Sequence, residues 1–460
     1  MKVVLLSGGS GKRLWPLSND ARSKQFLKVL KNENKESVSM TQRVWNQLSS
    51  VNLDQSTVIA TSSAQVDMIK SQICGMDRMV VEPERRDTFP AIALAASYLY
   101  SVMKTNPEEV VIILPVDSYV ETAFFEKVKE LEAVLHQSDA QLALLGVKPT
   151  YPSEKYGYIV PDSKNDHNWM TVSHFKEKPD GVVAEELIHK NSLWNCGVFA
   201  FKLEYMLSLL ENRKLPLHYE ELRQDYSALP RTSFDYEVAE NENHIVALQY
   251  EGYWKDLGTW NTLSDEMETE KLGKGLLFDC TNTHLINELN IPITVIGGAN
   301  LMIAASPDGI LVSDKEKSHL IKNILAGHSH RPMYEERRWG WYKVLDYTKV
   351  NENHEVLTKR LAITSGNNLS YQLHSYRCEV WTIIKGEGEF VCEGEIRQVK
   401  AGDVLEIPVK TRHAIRAITD LEVIEVQSGS QLIEEDIERI YLHWNDIERH
   451  CHSVKSPVEV

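Results

Sequence analysis

A chain of 460 residues exceeds what one hydrophobic core usually supports and predicts two or three domains. Its composition is that of an ordinary soluble globular protein, and a formal net charge of −16 with no basic block to offset it argues against a nucleic-acid or anionic-membrane partner. No apolar run approaches the roughly 20 residues that span a bilayer, MKVVLLSGG lacks the length and cleavage site of a secretion signal, and the six cysteines include no CxxC pair; a cytoplasmic protein with reduced thiols is expected, with neither zinc ribbon nor disulfide framework.

From residue 1 to about 146, β-rich apolar runs alternate with helical patterns. KVVLL, STVIA, RMVVE, EVVIILP and QLALLGV read as strands; MTQRVWNQL, a polar stretch after STVIA, PAIALAASYLYSVM and FFEKVKELEAVL read as helices. Strands separated by amphipathic helices imply βαβ units and a parallel sheet, whose ligands bind beyond the carboxyl ends of the strands. Gly8 to Arg13 follow the first strand, Glu82 ends the third and Asp117 follows the fourth. Residues 150 to 260 are less regular and rich in aromatics, which suits a substrate-binding lobe on the same sheet. Short β-type pieces with turns such as Pro307-Asp308-Gly309 come next, then HSHRPMYEERRWGWYKV, which reads as a basic linker. From about 350 to 428, closely spaced strands with turns at KGEGE, CEGE and KAGD predict a small antiparallel barrel. The layout is a domain over 1–270, a β-rich connecting segment over 271–340 and a barrel over 341–460.

In LLSGGSGKRLWPLS, Gly8, Gly9 and Gly11 follow the first strand together with Ser7 and Ser10, and cations come after. Glycine lets backbone N–H groups approach phosphate oxygens, and a turn of such groups makes an anion-binding nest. The stretch is not a Walker A loop, because Leu6 and Arg13 stand where that pattern needs Gly and Ser or Thr; Leu14 likewise breaks the Rossmann fingerprint. By itself it fits either a phosphate nest or a plain tight turn.

GGSGKRLWPLS with SKQFL resembles the signature of the sugar-1-phosphate nucleotidyltransferases, and its tryptophan and KQFL point to the mannose-1-phosphate guanylyltransferase branch. EPERRDTFPAIALAA, LPVD, YGYI, FKEKP, WNCGVF, FDYEVAE and WKDLGTW follow in the same order, and RRWGWYKV with the barrel is similar to the long form that carries a mannose-6-phosphate isomerase-like cupin domain. The resemblance implies an α/β, Rossmann-like nucleotidyltransferase domain (GT-A-like) with a mixed sheet, a short β-rich connecting domain and a C-terminal cupin β-barrel. It implies GTP and mannose 1-phosphate as substrates, Mg2+ as cofactor and a homodimer. Arg13 and Lys24 would hold the triphosphate and, with Asp117, act in catalysis; Gly8, Gly9, Gly11 and Glu82 complete the nucleotide site, with Glu82 accepting from the two donors on one edge of guanine. Asp117 and Asp256 would ligate magnesium. Lys178 would receive the sugar phosphate, while Glu177, Asn195 and Gly157 form the sugar pocket. Asp87 and Phe89 depart from the usual family wording, where Asn and Ala are common, so another nucleotide, or another sugar 1-phosphate such as a mannoheptose, is the alternative. A sugar-nucleotide sensor without catalysis needs no pair of metal-binding carboxylates, and both Asp117 and Asp256 are retained.

In the barrel, SYQLHSYRCEVW places Gln372, His374 and Glu379 at the spacing of strand-borne metal ligands, with His413 on a later strand. Tyr376 stands where a second imidazole would complete the set, and a phenol of pKa near 10 is a poor exchange for it. Three outcomes are open: a weakened site for zinc or another divalent ion using Gln372, His374, Glu379 and His413, a tyrosinate site, or a barrel kept for packing and dimer contacts. Tyr376 makes isomerase activity doubtful on this reading.

Overall fold

The computed structural model describes residues 1–9, 11–19, 22–32, 34–162, 168–325, 327 and 331–453. The chain divides into two compact units, Met1–Ile286 with Ile293–Ile303 and Val312–Leu325, and Asn287–Pro292 with Ala304–Leu311 and Ala326–Val460.

In the first unit, Lys2–Leu6 (β1), Thr57–Ser62 (β2), Met79–Glu82 (β3) and Val110–Pro115 (β4) are mutually parallel strands, as the alternating pattern predicts. Side chains alternate between the faces of a strand, and both faces of β1 are buried. Val3 and Leu5 enter one core layer, with Val44 and Leu48 of Met40–Ser50 (α1) and Val128 of Thr122–Gln137. Val4 enters the other layer, with Ile92 and Ala96 of Thr88–Ser101. Ser39 and Gln42 close a capping box at the start of α1.

The sheet continues through Leu142–Val147, Tyr158–Pro161, Met170–Lys176, Leu193–Lys202 and Ile245–Tyr250; in chain order after Ser118–Val120 (β5) these are β6 to β10, and Trp254–Asp256 is β11. The nine-stranded order is β3-β2-β1-β4-β9-β6-β10-β8-β7, with β9 also meeting β7. The sheet is mixed, because β9 lies antiparallel between β4 and β6. The aromatic-rich stretch that looked irregular in sequence therefore supplies strands of the main sheet. LWNCGVFAFK is buried along nearly its whole length, so it shows no period-2 pattern to read. Asp256, expected in a compact turn, ends β11, which pairs antiparallel with β5 so that Asp256 faces Ser118, the neighbour of Asp117.

Between Lys271 and Asp314 the chain forms short strands: a four-stranded sheet and a parallel pair, Gly275–Phe278 with Ile293–Ile296. In the second unit, two six-stranded sheets make the barrel, around Trp381, Ile383, Phe390 and Ile415. Of the stretch expected as a linker, residues 328–330 lie outside the described residues, and from Tyr334 on it is part of this barrel. Tyr334–Arg337 and Gly340–Asn351 pair as a hairpin; Tyr342 and Val344 are buried, and Glu335, opposite Tyr342, is buried with them against Arg337, so the inward face itself carries charge and the strand pattern is hidden. All six cysteines are free, and among the described residues no helix is long and apolar enough to cross a membrane.

Candidate active site

The glycine turn is held from behind by buried polar side chains. Gln25 donates to the Ser7 carbonyl (3.1 Å), while Ser23 Oγ (3.0 Å) and Gln65 Nε2 (3.2 Å) donate to the Gly9 carbonyl. Satisfying these carbonyls internally fixes the loop at the carboxyl end of β1. The Trp260 indole, from the helix after β11, donates to the Trp15 carbonyl (3.1 Å) and ties the last motif of the unit to the first. A pocket of about 510 Å3 opens on this loop, lined by Gly8, Gly9, Arg13 and Glu82 and by four residues that sequence reasoning had not placed in the site: Arg85, Arg86, Asp87 and Arg231. Gly11 lies in the short 3-10 turn Gly11–Leu14 that carries Arg13. Glu82 is buried; its Oε2 accepts from the Tyr226 hydroxyl (2.7 Å), and burial raises its pKa.

Beside this pocket stand Lys24, Asp117 and Asp256. Lys24 Nζ lies 2.6 Å from Asp117 Oδ2 and 3.7 Å from Asp256 Oδ1, and donates to the Leu257 carbonyl at 3.5 Å. Burial disfavours the ammonium, but the two carboxylates outweigh it and raise its pKa. Burial also opposes ionisation of Asp117, yet Lys24 holds its carboxyl below the ordinary value; for Asp256, burial and then the Asp117 charge win over Lys24 and raise it. One cation thus reaches both carboxylates. That arrangement fits magnesium, which takes one or two protein carboxylates and fills its remaining positions with water and phosphate.

The sugar-pocket candidates also converge. Glu177 is buried and contacts Lys178 Nζ, and its other oxygen, Oε2, is buried without a hydrogen-bond partner. A Cβ on Gly157 would lie 2.6 Å from that oxygen and 2.4 Å from the Phe175 ring, so only glycine lets the two segments approach. Asn195 sits at an irregularity in β9, its Oδ1 accepting from Gly197 N (3.1 Å) and its Nδ2 donating to Asp235 Oδ1 (3.1 Å). Burial, then the nearby Glu177 charge, push the Asp235 carboxyl up to about 7. Asp235 was legible only as part of FDYEVAE; it starts a π-helical turn, Asp235–Ala239, of the kind found at functional sites.

In the barrel, His374, Glu379 and His413 are buried, and one ligand atom of each lies within 4.8 Å of the others. His374 Nε2 is 3.1 Å and His413 Nε2 is 3.5 Å from the Glu379 oxygens. His413 Nδ1 faces the Thr411 carbonyl at 2.9 Å and donates to it, so the lone pair is on Nε2, which is buried without a hydrogen-bond partner. The Gln372 amide is 3.5 Å from His374 Nε2. Two imidazoles, a carboxylate and an amide suit zinc or a similar ion. Tyr376 is no part of this cluster. The strand Tyr371–His374 ends before it, Ser375 and Tyr376 instead donate their N–H groups to Asp436 (2.9 and 3.2 Å), and the phenol is 53 % exposed. The alternation that would have turned position 376 inward stops at His374, which removes both the tyrosinate site and the ground for treating Tyr376 as a lost ligand. Sequence reasoning also missed Arg377, whose Nε donates to Glu379 Oε1 (3.0 Å), and Gln427, which donates to the same oxygen (3.2 Å).

Residues 2–271 match the family model described as Nucleotidyl transferase, and residues 323–441 match Mannose-6-phosphate isomerase C-terminal. The chain is 28 % identical to a mannose-1-phosphate guanylyltransferase of Salmonella typhimurium, over 95 % of this chain and 96 % of that protein. It is 29 % identical to a xanthan biosynthesis protein of Xanthomonas campestris (95 % and 97 %) and 28 % identical to an alginate biosynthesis protein of Pseudomonas fluorescens (98 % and 98 %). A solved Thermus thermophilus protein described as a mannose-1-phosphate geranyltransferase superposes with a TM-score of 0.59 at 27 % identity, covering 71 % of this chain and 99 % of its own.

Two outcomes follow from the geometry. A carboxyl raised to about 7 binds a proton more tightly folded than unfolded, so its contribution to stability is full below the unfolded value near 4 and is lost as pH rises through about 7. Asp235→Asn should therefore raise the thermal unfolding midpoint at pH 8, by the equivalent of roughly 2 kcal/mol, and leave it unchanged at pH 4; equal shifts at both pH values would contradict the raised carboxyl. In the barrel, protein incubated with zinc and desalted should retain one ion per chain by mass spectrometry, His413→Ala and Glu379→Gln should retain none, and Tyr376→His should not differ from the unmodified protein.

Proposed function

The chain belongs to the nucleotidyl transferase family, whose model spans more than half of it, and is an enzyme of that class; from this premise we propose that it transfers GMP from GTP to mannose 1-phosphate, giving GDP-mannose and pyrophosphate. The observation that carries the reading is Lys24 reaching both Asp117 and Asp256 beside an arginine-rimmed pocket. The names of the relatives support the substrates, and those tied to xanthan and alginate support a role in making polysaccharide precursors.

In this reading an oxygen of the sugar phosphate attacks the α-phosphorus in line, the bond from that phosphorus to the bridging oxygen breaks, and pyrophosphate leaves. The transition state has more charge on its phosphoryl oxygens than the ground state, so pre-positioned cations act on the barrier itself. Arg13 and Lys24 neutralise the triphosphate, Lys178 holds the attacking phosphate, and Glu82 receives the base. Glu177 and Asn195 orient the sugar hydroxyls where Gly157 leaves room, which places the nucleophile for reaction. Asp117 and Asp256 would hold magnesium, which when bound would supply positive charge against the charge that develops on the phosphoryl oxygens.

A second reading concerns the barrel. The unpartnered, buried Nε2 of His413 beside His374 and Glu379 favours a divalent-ion site there, and with it a sugar-phosphate isomerase in the same chain. A cavity of about 220 Å3 is lined by Arg331, Lys359 and Arg377 together with Glu335 and Glu435. Assay of mannose 6-phosphate and fructose 6-phosphate interconversion with and without added zinc tests this directly.

For the transferase, pyrophosphate release measured over a panel of nucleotides and sugar 1-phosphates should be greatest with GTP and mannose 1-phosphate and should require magnesium. Asp117→Asn and Asp256→Asn should each abolish turnover in folded protein; near-normal activity in either would remove the metal assignment. Lys178→Ala should weaken sugar-phosphate binding by about one to two decades, the worth of a charge-assisted contact of roughly 1.5–3 kcal/mol, and leave GTP binding nearly unchanged. Equal losses in separate titrations would assign the lysine to the triphosphate instead.

A further inference from the structure

One backbone position in the arginine-rimmed pocket is not explained by its place at the start of a helix. Asp87, at the head of Thr88–Ser101, has φ 75° and ψ −173°. That region is nearly closed to side chains other than glycine's, and a residue held there is strained. Capping does not require it. Ser39 and Asp180 head their helices in extended conformations, with φ of −86° and −68°, and accept from the third helical residue, Gln42 N (3.1 Å) and Val183 N (2.9 Å), as N-caps ordinarily do. Asp87 Oδ1 accepts only from its neighbour, Thr88 N, at 2.8 Å. Contacts on the helix side hold the turn in place: Thr88 Oγ1 accepts from Phe234 N (2.8 Å), and Phe89 N donates to the Thr232 carbonyl (3.2 Å).

The carboxylate placed this way is exposed and lines the pocket with Gly8, Gly9, Arg13 and Glu82. Among the described residues its second oxygen, Oδ2, has neither a hydrogen bond nor an ion pair. Two nearby arginines are matched by a different acid: Arg86 Nε donates to Glu84 Oε1 (2.6 Å) and Arg231 Nη2 to Glu84 Oε2 (3.3 Å). Burial first raises the Glu82 and Glu177 carboxyls, and the Asp87 charge adds to both, so Asp87 stands within electrostatic reach of the acids assigned to the base and to the sugar. Backbone strain and repulsion from two acids both work against the fold. A carboxylate kept there is explained by a donor that it meets.

Glu82 leaves work for a second acceptor. Its Oε2 already accepts from the Tyr226 hydroxyl, and Oε1 is the oxygen on the Gly8 side, 3.5 Å from where a Cβ on Gly8 would lie. A bound nucleoside brings donors on its base and on its ribose, more than that one oxygen takes. We propose that Asp87 is a specificity-determining residue that accepts a hydrogen bond from the nucleoside of the bound triphosphate; this rests on the assignment of the pocket to GTP. Two groups could donate, the 2-amino group of guanine and the 2′-hydroxyl of the ribose.

The test is pyrophosphate release by the full chain with magnesium and mannose 1-phosphate, using GTP, ITP, which lacks the amino group, and dGTP, which lacks the hydroxyl. In the unmodified protein kcat/KM for GTP should exceed that for one of the analogues by about tenfold or more, the worth of one hydrogen bond to a charged acceptor. Asp87→Gly suits the backbone and removes only the carboxylate, so it should bring that ratio to about one; Asp87→Ala should do the same if it folds. Collapse of the GTP to ITP ratio would assign the contact to the amino group, and collapse of the GTP to dGTP ratio to the ribose. Where turnover in a variant is too slow to follow, the same ratios are read from Kd values. Ratios that keep their unmodified values in Asp87→Gly, whatever the absolute rates, would overturn the proposal, as would equal use of all three nucleotides by the unmodified protein. Faster turnover with a different triphosphate would end the GTP reading separately; that nucleotide and its analogues lacking a base donor or the 2′-hydroxyl then take the place of the three above.

Discussion

Two carboxylates placed near each other at the edge of a sheet repel, and each resists ionisation when water is excluded. Asp117 and Asp256 are in that position, and the Lys24 ammonium makes the arrangement tolerable. Much of the first unit can be understood as what is needed to bring this one ammonium to that point. Lys24 begins the short turn Lys24–Phe26, whose Gln25 and Phe26 are buried; Gln25 grips the first strand's exit, and Trp260 fastens the loop to the helix that follows Asp256.

The cluster around Glu177 repeats the device with a different balance. Glu177 and Asp235 are two acids close together with one lysine, and here the shared cation is half-exposed. Burial, then the Glu177 charge, outweigh the lysine and leave Asp235 raised, as burial does for Asp256. In the barrel the acid is Glu379, and it is met by donors from Arg377, Gln427 and the Trp381 indole, the last of which also donates to Glu425 (3.1 Å to each). Burial and the Glu379 charge push Glu425 up to about 7, so the barrel interior holds its negative charge on one carboxyl by discouraging it on the other.

The alternation of strands and helices over the first 147 residues was legible because each element carries its own period, and the glycine turn, Glu82 and Asp117 were legible because they follow buried strands. What escaped notice had a physical reason in each case. β9 is buried on both faces and so has no alternation. Asp256 looked like a turn residue because its strand is three residues long and its partner, β5, is equally short. The hairpin from Tyr334 was masked because its buried face carries Glu335, paired with Arg337, opposite Tyr342. The expectation for position 376 assumed that a strand continues, whereas Asp436, 60 residues away, captures the backbone there and ends it. Arg231 and Asp235 enter the site from a segment with no regular period, and no local signal announces where such a segment folds back.

The pairing of β5 with β11 sets when the site comes into being. Lys24 reaches the carbonyl of Leu257 across 233 positions of sequence, and Leu257 N in turn bonds the Asp117 carbonyl at 3.4 Å. Closing a loop of that length carries an entropic penalty that only the folded sheet offsets. During synthesis the Gly-rich turn, Lys24 and Asp117 leave the ribosome long before Asp256, so a nascent chain holds the turn with half of the carboxylate pair absent. The carboxylate pair therefore closes around Lys24 in a single late step, when the strand carrying Asp256 docks.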